Sequence, residues 1–163
     1  MQSNPWFHTL ALRLNCSGKR RARGFYGAFN LKPLFYSTGV RVSDGKWHHV
    51  CITWKSSDGT VEAYKDGAFQ SKKTGIITGQ QIAPSGIWII GQDQDTFGGG
   101  FQQRNAFDGS LTDVNVWDKI LCASEISTLA SKKCGLGMQG NYKAYKDFVP
   151  KGGVNLGKPS CCH

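Results

Sequence analysis

The sequence predicts an all-β domain, a sandwich or a barrel. Glycine occurs 21 times and Trp, Tyr and Phe together make up 12% of the chain. Short apolar or alternating runs are separated by repeated turn signals such as Ser57-Asp58-Gly59 and Asp66-Gly67. Many turns combined with many aromatics suit half-buried pleated strands.

Taken in order, Leu10 to Leu14 reads as a strand, followed by the basic run Lys19-Arg20-Arg21-Ala22-Arg23. Phe35 to Val42 is the next strand, with Val40 and Val42 alternating with Arg41. Ser43-Asp44-Gly45-Lys46 is a turn. Trp47 to Lys55 gives the strongest strand signal: Val50, Ile52 and Trp54 share one face, and His49, Cys51 and Thr53 the other. Thr60 to Lys65 returns, and Asp66-Gly67 forms a tight hairpin into Ala68 to Lys72. Gly75 to Gly79 is expected to hold a short strand. Ile87 to Gln92, nearly all apolar, is expected to be a buried one. Leu111 to Trp117 follows, with an alternation slip at Thr112-Asp113 that predicts a bulge. Residues 123–131 carry Ile126, Leu129 and Ala130 at helical spacing, with Ser124 as the expected N-cap. Asn141 to Phe148 is the last expected strand.

Composition narrows the function. The chain has 163 residues, enough for one core. It has no apolar run long enough to cross a membrane as a helix. Met1 to Ser17 contain Pro5, His8 and Arg13 and no apolar block, so a targeting segment is expected to be absent or to lie outside these residues. The net charge of +9 is spread along the chain. Its one cluster, at 19–23, reads as a solvated loop rather than a nucleic-acid or heparin site, because no exposed aromatics interleave with it. The six cysteines, Cys16, Cys51, Cys122, Cys134, Cys161 and Cys162, suit an oxidising compartment, but the sequence cannot choose among their pairings. Asn15-Cys16-Ser17 fits the glycosylation acceptor pattern.

Against this basic background, Ile89-Ile90-Gly91-Gln92-Asp93-Gln94-Asp95 and the glycines that follow gather acid. Calcium takes six to eight oxygens from carboxylates, amides, carbonyls and water. Asp93 and Asp95 lie two residues apart, which puts both on one side of an extended segment and leaves Gln94 to offer its backbone carbonyl. An EF-hand starting at Asp93 fails, since its fifth and twelfth positions would be Phe97 and Arg104. A polar turn whose side chains merely cap the backbone is the plain alternative.

His49-Val50-Cys51-Ile52-Thr53-Trp54-Lys55-Ser56 resembles the pentraxin signature His-x-Cys-x-(Ser/Thr)-Trp-x-(Ser/Thr) at every defined position. The acidic stretch resembles the pentraxin calcium loop. Gly109 to Asp118 and Gly140-Asn141 to Phe148 continue the likeness, which covers residues 36–150. The resemblance implies a two-sheet antiparallel jelly-roll sandwich of the concanavalin and laminin-G type, with one short helix near 123–131. It implies calcium as cofactor, held by Asp93, Gln94, Asp95, Gln102 and Asn105. Gln102 is neutral where calcium-binding members carry an acid, so a second calcium is expected to bind weakly.

The resemblance further implies a secreted, non-catalytic module that binds phosphorylated or carbohydrate ligands on cells, microbes or matrix, and that assembles as a homo-oligomer. The family's Asp-Asn pair of calcium ligands, and the partner of its signature cysteine, have no visible counterpart ahead of the signature here. Cys16 is the candidate substitute partner for Cys51. Three segments are expected: an atypical basic segment 1–33, an incomplete pentraxin-like domain 34–150, and a cysteine-containing tail 151–163. One bridge is expected to join Cys134 to Cys161 or Cys162. The alternative function is a structural or protein-interaction domain of a larger extracellular or receptor protein, with a degenerate calcium site.

Other chemistries find little. His48 and His49 face opposite sides of a strand, which disfavours zinc. Cys161-Cys162-His163 is a weak candidate for scavenging metal. The glutamates are Glu62 and Glu125, too far apart in sequence for the closely spaced acid pair of jelly-roll glycosidases. No nucleophile-elbow pattern occurs.

Overall fold

The computed structural model describes residues 7–15, 38–82, 86–92, 95–132 and 136–157. Strands β1 (Phe7–Asn15), β2 (Trp47–Lys55), β3 (Thr60–Lys65), β4 (Ala68–Lys73) and β5 (Ser110–Trp117) form one sheet in the order β4-β3-β2-β1-β5. All its pairings are antiparallel. One helix, α1 (Ala123–Ser131), follows β5. The fold is all-β with one short helix over residues 123–131, as the sequence predicts.

Alternation along the strands sorts side chains to two faces. On one face Ala11, Cys51, Tyr64 and Trp117 pack with Leu121, Ile126 and Leu129, so α1 covers this side. On the other, Leu12, Leu14, Val50 and Val114 pack with Val42, Ile90 and Phe107. A satellite of Trp54, Val61 and Ile76 extends this side beneath the β2–β3 turn.

The first strand is longer than the sequence suggests and lies inside the sheet, between β2 and the edge strand β5. Leu12 opposes Val50 on β2, and Leu14 opposes Leu111 on β5. Buried Thr9 ties β1 to the start of the helix: its hydroxyl donates to the Lys119 carbonyl at 2.7 Å and accepts from the Leu121 N–H at 3.0 Å. Thr9→Val keeps the shape but leaves both backbone groups unpaired. We expect it to cost about 1–3 kcal/mol, read as a lower urea midpoint with unchanged slope.

Several details match expectation. Asp66 and Gly67 both have positive φ (52° and 82°), as a type I′ hairpin turn requires. The predicted bulge falls where the β1–β5 register shifts between Ala11 and Arg13, and Asp113 there has φ 53°.

Other details correct it. Of the strand expected over Phe35 to Val42, residues 35–37 lie outside the described residues and 38–42 are not a strand: the Ser71 hydroxyl donates to the Thr38 carbonyl and the Lys65 ammonium to the Arg41 carbonyl, so side chains rather than a ladder hold this backbone. Residues 75–79 are a closing loop, because Gly75, Ile77 and Gly79 all have positive φ. Residues 87–92 contribute Ile90 to the core without ladder pairing. The closing segment forms a single bridge, Val116 to Lys143, and then a 3-10 turn at Tyr145–Asp147. There the Asp147 carboxylate accepts the Ala144 N–H and diverts it from a strand. The N-cap of α1 is Cys122, not Ser124, because Glu125 reaches back to accept the Cys122 N–H at 2.8 Å.

Candidate metal centre

The acidic stretch becomes a loop tied off at its base. Gly91, with φ 81°, ends the apolar run, and its carbonyl accepts the Phe107 N–H at 2.8 Å. Within the loop Thr96 and Gly99 pair across a tight turn. Gly100 then turns the chain back: φ is 71°, and a Cβ there would meet the Asp95 Cβ at 2.8 Å and the Thr96 nitrogen at 3.0 Å. Only glycine satisfies both demands. The return brings Gln102 to Asp95, whose Oδ2 accepts from the Gln102 Nε2 at 2.6 Å. A 3-10 turn at Gln103–Asn105 follows, closed by the Asn105 N–H donating to the Gln102 carbonyl at 2.9 Å.

Of the five residues expected to hold calcium, the structure brings Asp95 and Gln102 into contact and places Asn105 one short turn beyond. Asp93 and Gln94 lie outside the described residues. The donors in view, one carboxylate and two amide oxygens, are hard oxygen ligands, so they fit calcium and not a thiolate-preferring metal. As it stands, the amide nitrogen of Gln102 offsets the Asp95 charge; turning the amide would present its oxygen instead. Among the described residues no group of three or more His, Cys, Asp or Glu side chains is arranged to hold a metal ion.

The remaining candidates sort clearly. The structure confirms that His48 and His49 point to opposite faces. His48 lies between two turns: Nδ1 is 2.8 Å from Asp66 Oδ2 and Nε2 is 2.9 Å from Asp44 Oδ1. Hydrogen bonding to His48 holds the Asp44 carboxyl below the usual range. This link was missed in the sequence because Asp66 arrives only through the β3–β4 hairpin. The Asp44-x-x-x-His48 spacing was the one available signal.

His49 is 5% exposed, and burial with the nearby Arg13 charge lowers its pKa to about 4. Cys51 is a buried free thiol, pushed up to about 12 by desolvation, with Ala11 and Tyr64 as its cross-strand neighbours. No sulfur therefore stands beside it among the described residues. Cys122 is also free, and Cys16, Cys134, Cys161 and Cys162 lie outside the described residues. Glu62 accepts the Tyr64 hydroxyl and Glu125 caps α1, so both have structural duties.

Residues 30–148 match the sequence model of the Pentaxin family, and the chain belongs to that family, the pentraxins. Neuronal pentraxin-2 of Cavia porcellus is 46% identical over 121 residues, 71% of this chain and 25% of the relative. A rat protein with sushi, von Willebrand factor type A, EGF and pentraxin domains is 39% identical over 108 residues, 66% of this chain but 3% of that protein. The chain thus spans at most about a quarter of these relatives. In the solved structures, the heptameric SAP-like pentraxin of Limulus polyphemus aligns with TM-score 0.81 and 27% identity, over 99% of this chain and 88% of that one. The fold is the pentraxin jelly roll. Among the described residues no helix is long and apolar enough to cross a membrane.

Proposed function

We propose that the chain is a non-catalytic, extracellular recognition module that binds phosphorylated or carbohydrate ligands through calcium held at the loop 91–107. The observation that carries this reading is the closure of that loop, which sets the Asp95 carboxylate against Gln102 in a chain of the pentraxin family. Asp93, Gln94, Asp95, Gln102 and Asn105 are the proposed ligands. Calcium, when bound, offers a positive centre to a phosphate or sugar oxygen. The chain's own part is to hold hard oxygens on a loop that Gly91, Gly100 and the Phe107–Gly91 hydrogen bond keep folded.

Calcium titration followed by thermal melting tests it. At calcium a hundredfold above its Kd the fold gains about 2.7 kcal/mol, and Asp95→Ala abolishes the gain. Gln102→Glu adds a carboxylate to the set, so we expect it to tighten calcium binding about tenfold and to weaken the calcium-free loop by like-charge repulsion. Failure of calcium to alter either melting or proteolysis within 93–105 would sink the metal reading. It would favour the second one: a protein-interaction domain whose site is degenerate, with the Gln102 amide standing where a cation would. That second reading also draws on the pentraxin unit being 3% of one matched relative.

Secretion, a bridge from Cys134 to Cys161 or Cys162, and homo-oligomeric assembly belong to the same proposal. So does a division near residues 33 and 150, with β1 contributed to the sheet from the segment ahead of residue 34. Limited proteolysis that releases an intact 34–150 core without residues 7–15 would contradict that contribution.

A further inference from the structure

On the α1 side of the sheet, beyond the helix's carboxyl end, a cleft of about 160 Å³ opens between Arg13, His49 and Trp117 on the strands, Leu129 on the helix, and Met138 and Lys146 from the closing segment. It shares no residue with the calcium loop. An apolar cavity of about 150 Å³ holds a six-carbon ring, so this volume admits a ligand of that size with a polar group attached.

Two of the charges around the cleft are already matched. Arg13 donates from Nη2 to the Leu129 carbonyl at 2.9 Å and the Ala130 carbonyl at 3.2 Å, and also to the Lys132 carbonyl, thereby capping α1. Its Nε is 3.4 Å from Asp113 Oδ2. Asn115 is likewise engaged, its Oδ1 accepting the Gly140 and Tyr145 N–H groups.

His49 is not. Nδ1 is the one buried side-chain nitrogen or oxygen among the described residues that lacks a hydrogen-bond partner. A proton on Nδ1 would be a buried N–H with nothing to accept it, the costlier of the two defects. The ring proton therefore belongs on Nε2, the nitrogen that is left to meet the cleft. The imidazole then presents a donor, with the exposed Lys146 on the same rim as a second donor and an unmatched positive charge.

We propose that this cleft is a second, calcium-independent site for a small monocarboxylate with an apolar body. His49 Nε2–H and the Lys146 ammonium take the carboxylate, and Trp117, Leu129 and Met138 flank the body. The neutral state of His49 near pH 7 fits this arrangement, and a bound carboxylate favours its protonation.

Benzoate is the probe, with benzamide as its uncharged counterpart, on the full chain with and without calcium. The readouts are Trp fluorescence and the His49 ring nitrogen signals in NMR. Benzoate is expected to shift the His49 ring signals equally in either condition and to bind about tenfold more tightly than benzamide. Lys146→Met and Met138→Trp both lie at exposed positions and leave the fold intact; the first is expected to weaken benzoate about tenfold and the second to block it. Any of these results would overturn the proposal: no shift of the His49 signals in millimolar benzoate, equal binding of benzamide, or unchanged binding in Met138→Trp. A site that needs calcium would equally overturn it.

Discussion

Leu12→Ala is expected to destabilise the fold by about 2–5 kcal/mol, the largest effect of any single core truncation we anticipate. Leu12 is 0% exposed on β1, an interior strand flanked by β2 and β5, and packs with Leu14, Val50 and Val114. Strands on both sides hold its backbone, so the site cannot collapse around the void, and unrelaxed cavities cost most. The test reaches beyond packing, because β1 lies ahead of the family-matched residues 30–148. Equilibrium urea unfolding reads the cost. A loss well under 1 kcal/mol would mean that β1 is dispensable and that the sheet closes without it. Leu10→Ala, at a partly buried position on the same face, is expected to cost less and serves as the internal control.

The second large effect is one of pH. His49 titrates at about 4 in the folded chain, against 6.5 when exposed. Between these values the unfolded chain takes up a proton that the native one refuses. Stability is therefore full above pH 6.5, falls as pH drops through this window, and levels off below about 4. The span corresponds to roughly 3 kcal/mol. His49→Leu is expected to flatten the slope between pH 6.5 and 4. It should leave untouched the separate loss at lower pH, as Asp58 protonates near 2. Melting temperatures of both proteins across pH 7 to 4 decide it: parallel curves would show that His49 does not carry the effect.

Much of this was legible in the residues. The β2 alternation, the Asp66-Gly67 hairpin, the slip at Thr112-Asp113 and the 123–131 helix are local patterns, each backed by its own backbone preference, and tertiary context reinforced them. The strands that were misread fail for a common reason. Ile87 to Gln92 and Asn141 to Phe148 have the composition of strands, but a strand needs a ladder partner, and composition does not reveal whether one arrives. The reach of β1 was obscured because Phe7 to Asn15 has only a weak run of its own. Its place is set by β2 and β5 on either side.

At the loop, chemistry and spacing pointed to the acidic stretch, and the resemblance to pentraxins grouped Asp95 with Gln102. The fold supplied the reason they meet: a backward turn that only Gly100 can make. The His48 link and the His49 cleft needed three-dimensional neighbours and could not be read from spacing.

The position of β1 also orders events in time. Its residues are the first of the sheet to be synthesised, yet Thr9 pairs with Thr53 on one side and Trp117 on the other. The second of those partners leaves the ribosome only after every other strand has been made. Until then Leu10, Leu12 and Leu14 have at most one neighbour, and the helix that covers their opposite face does not yet exist. Such distant pairings slow folding and leave apolar edges waiting in the open. Chaperone dependence and aggregation during synthesis should therefore trace to this one strand, and delaying its emergence by circular permutation should relieve both.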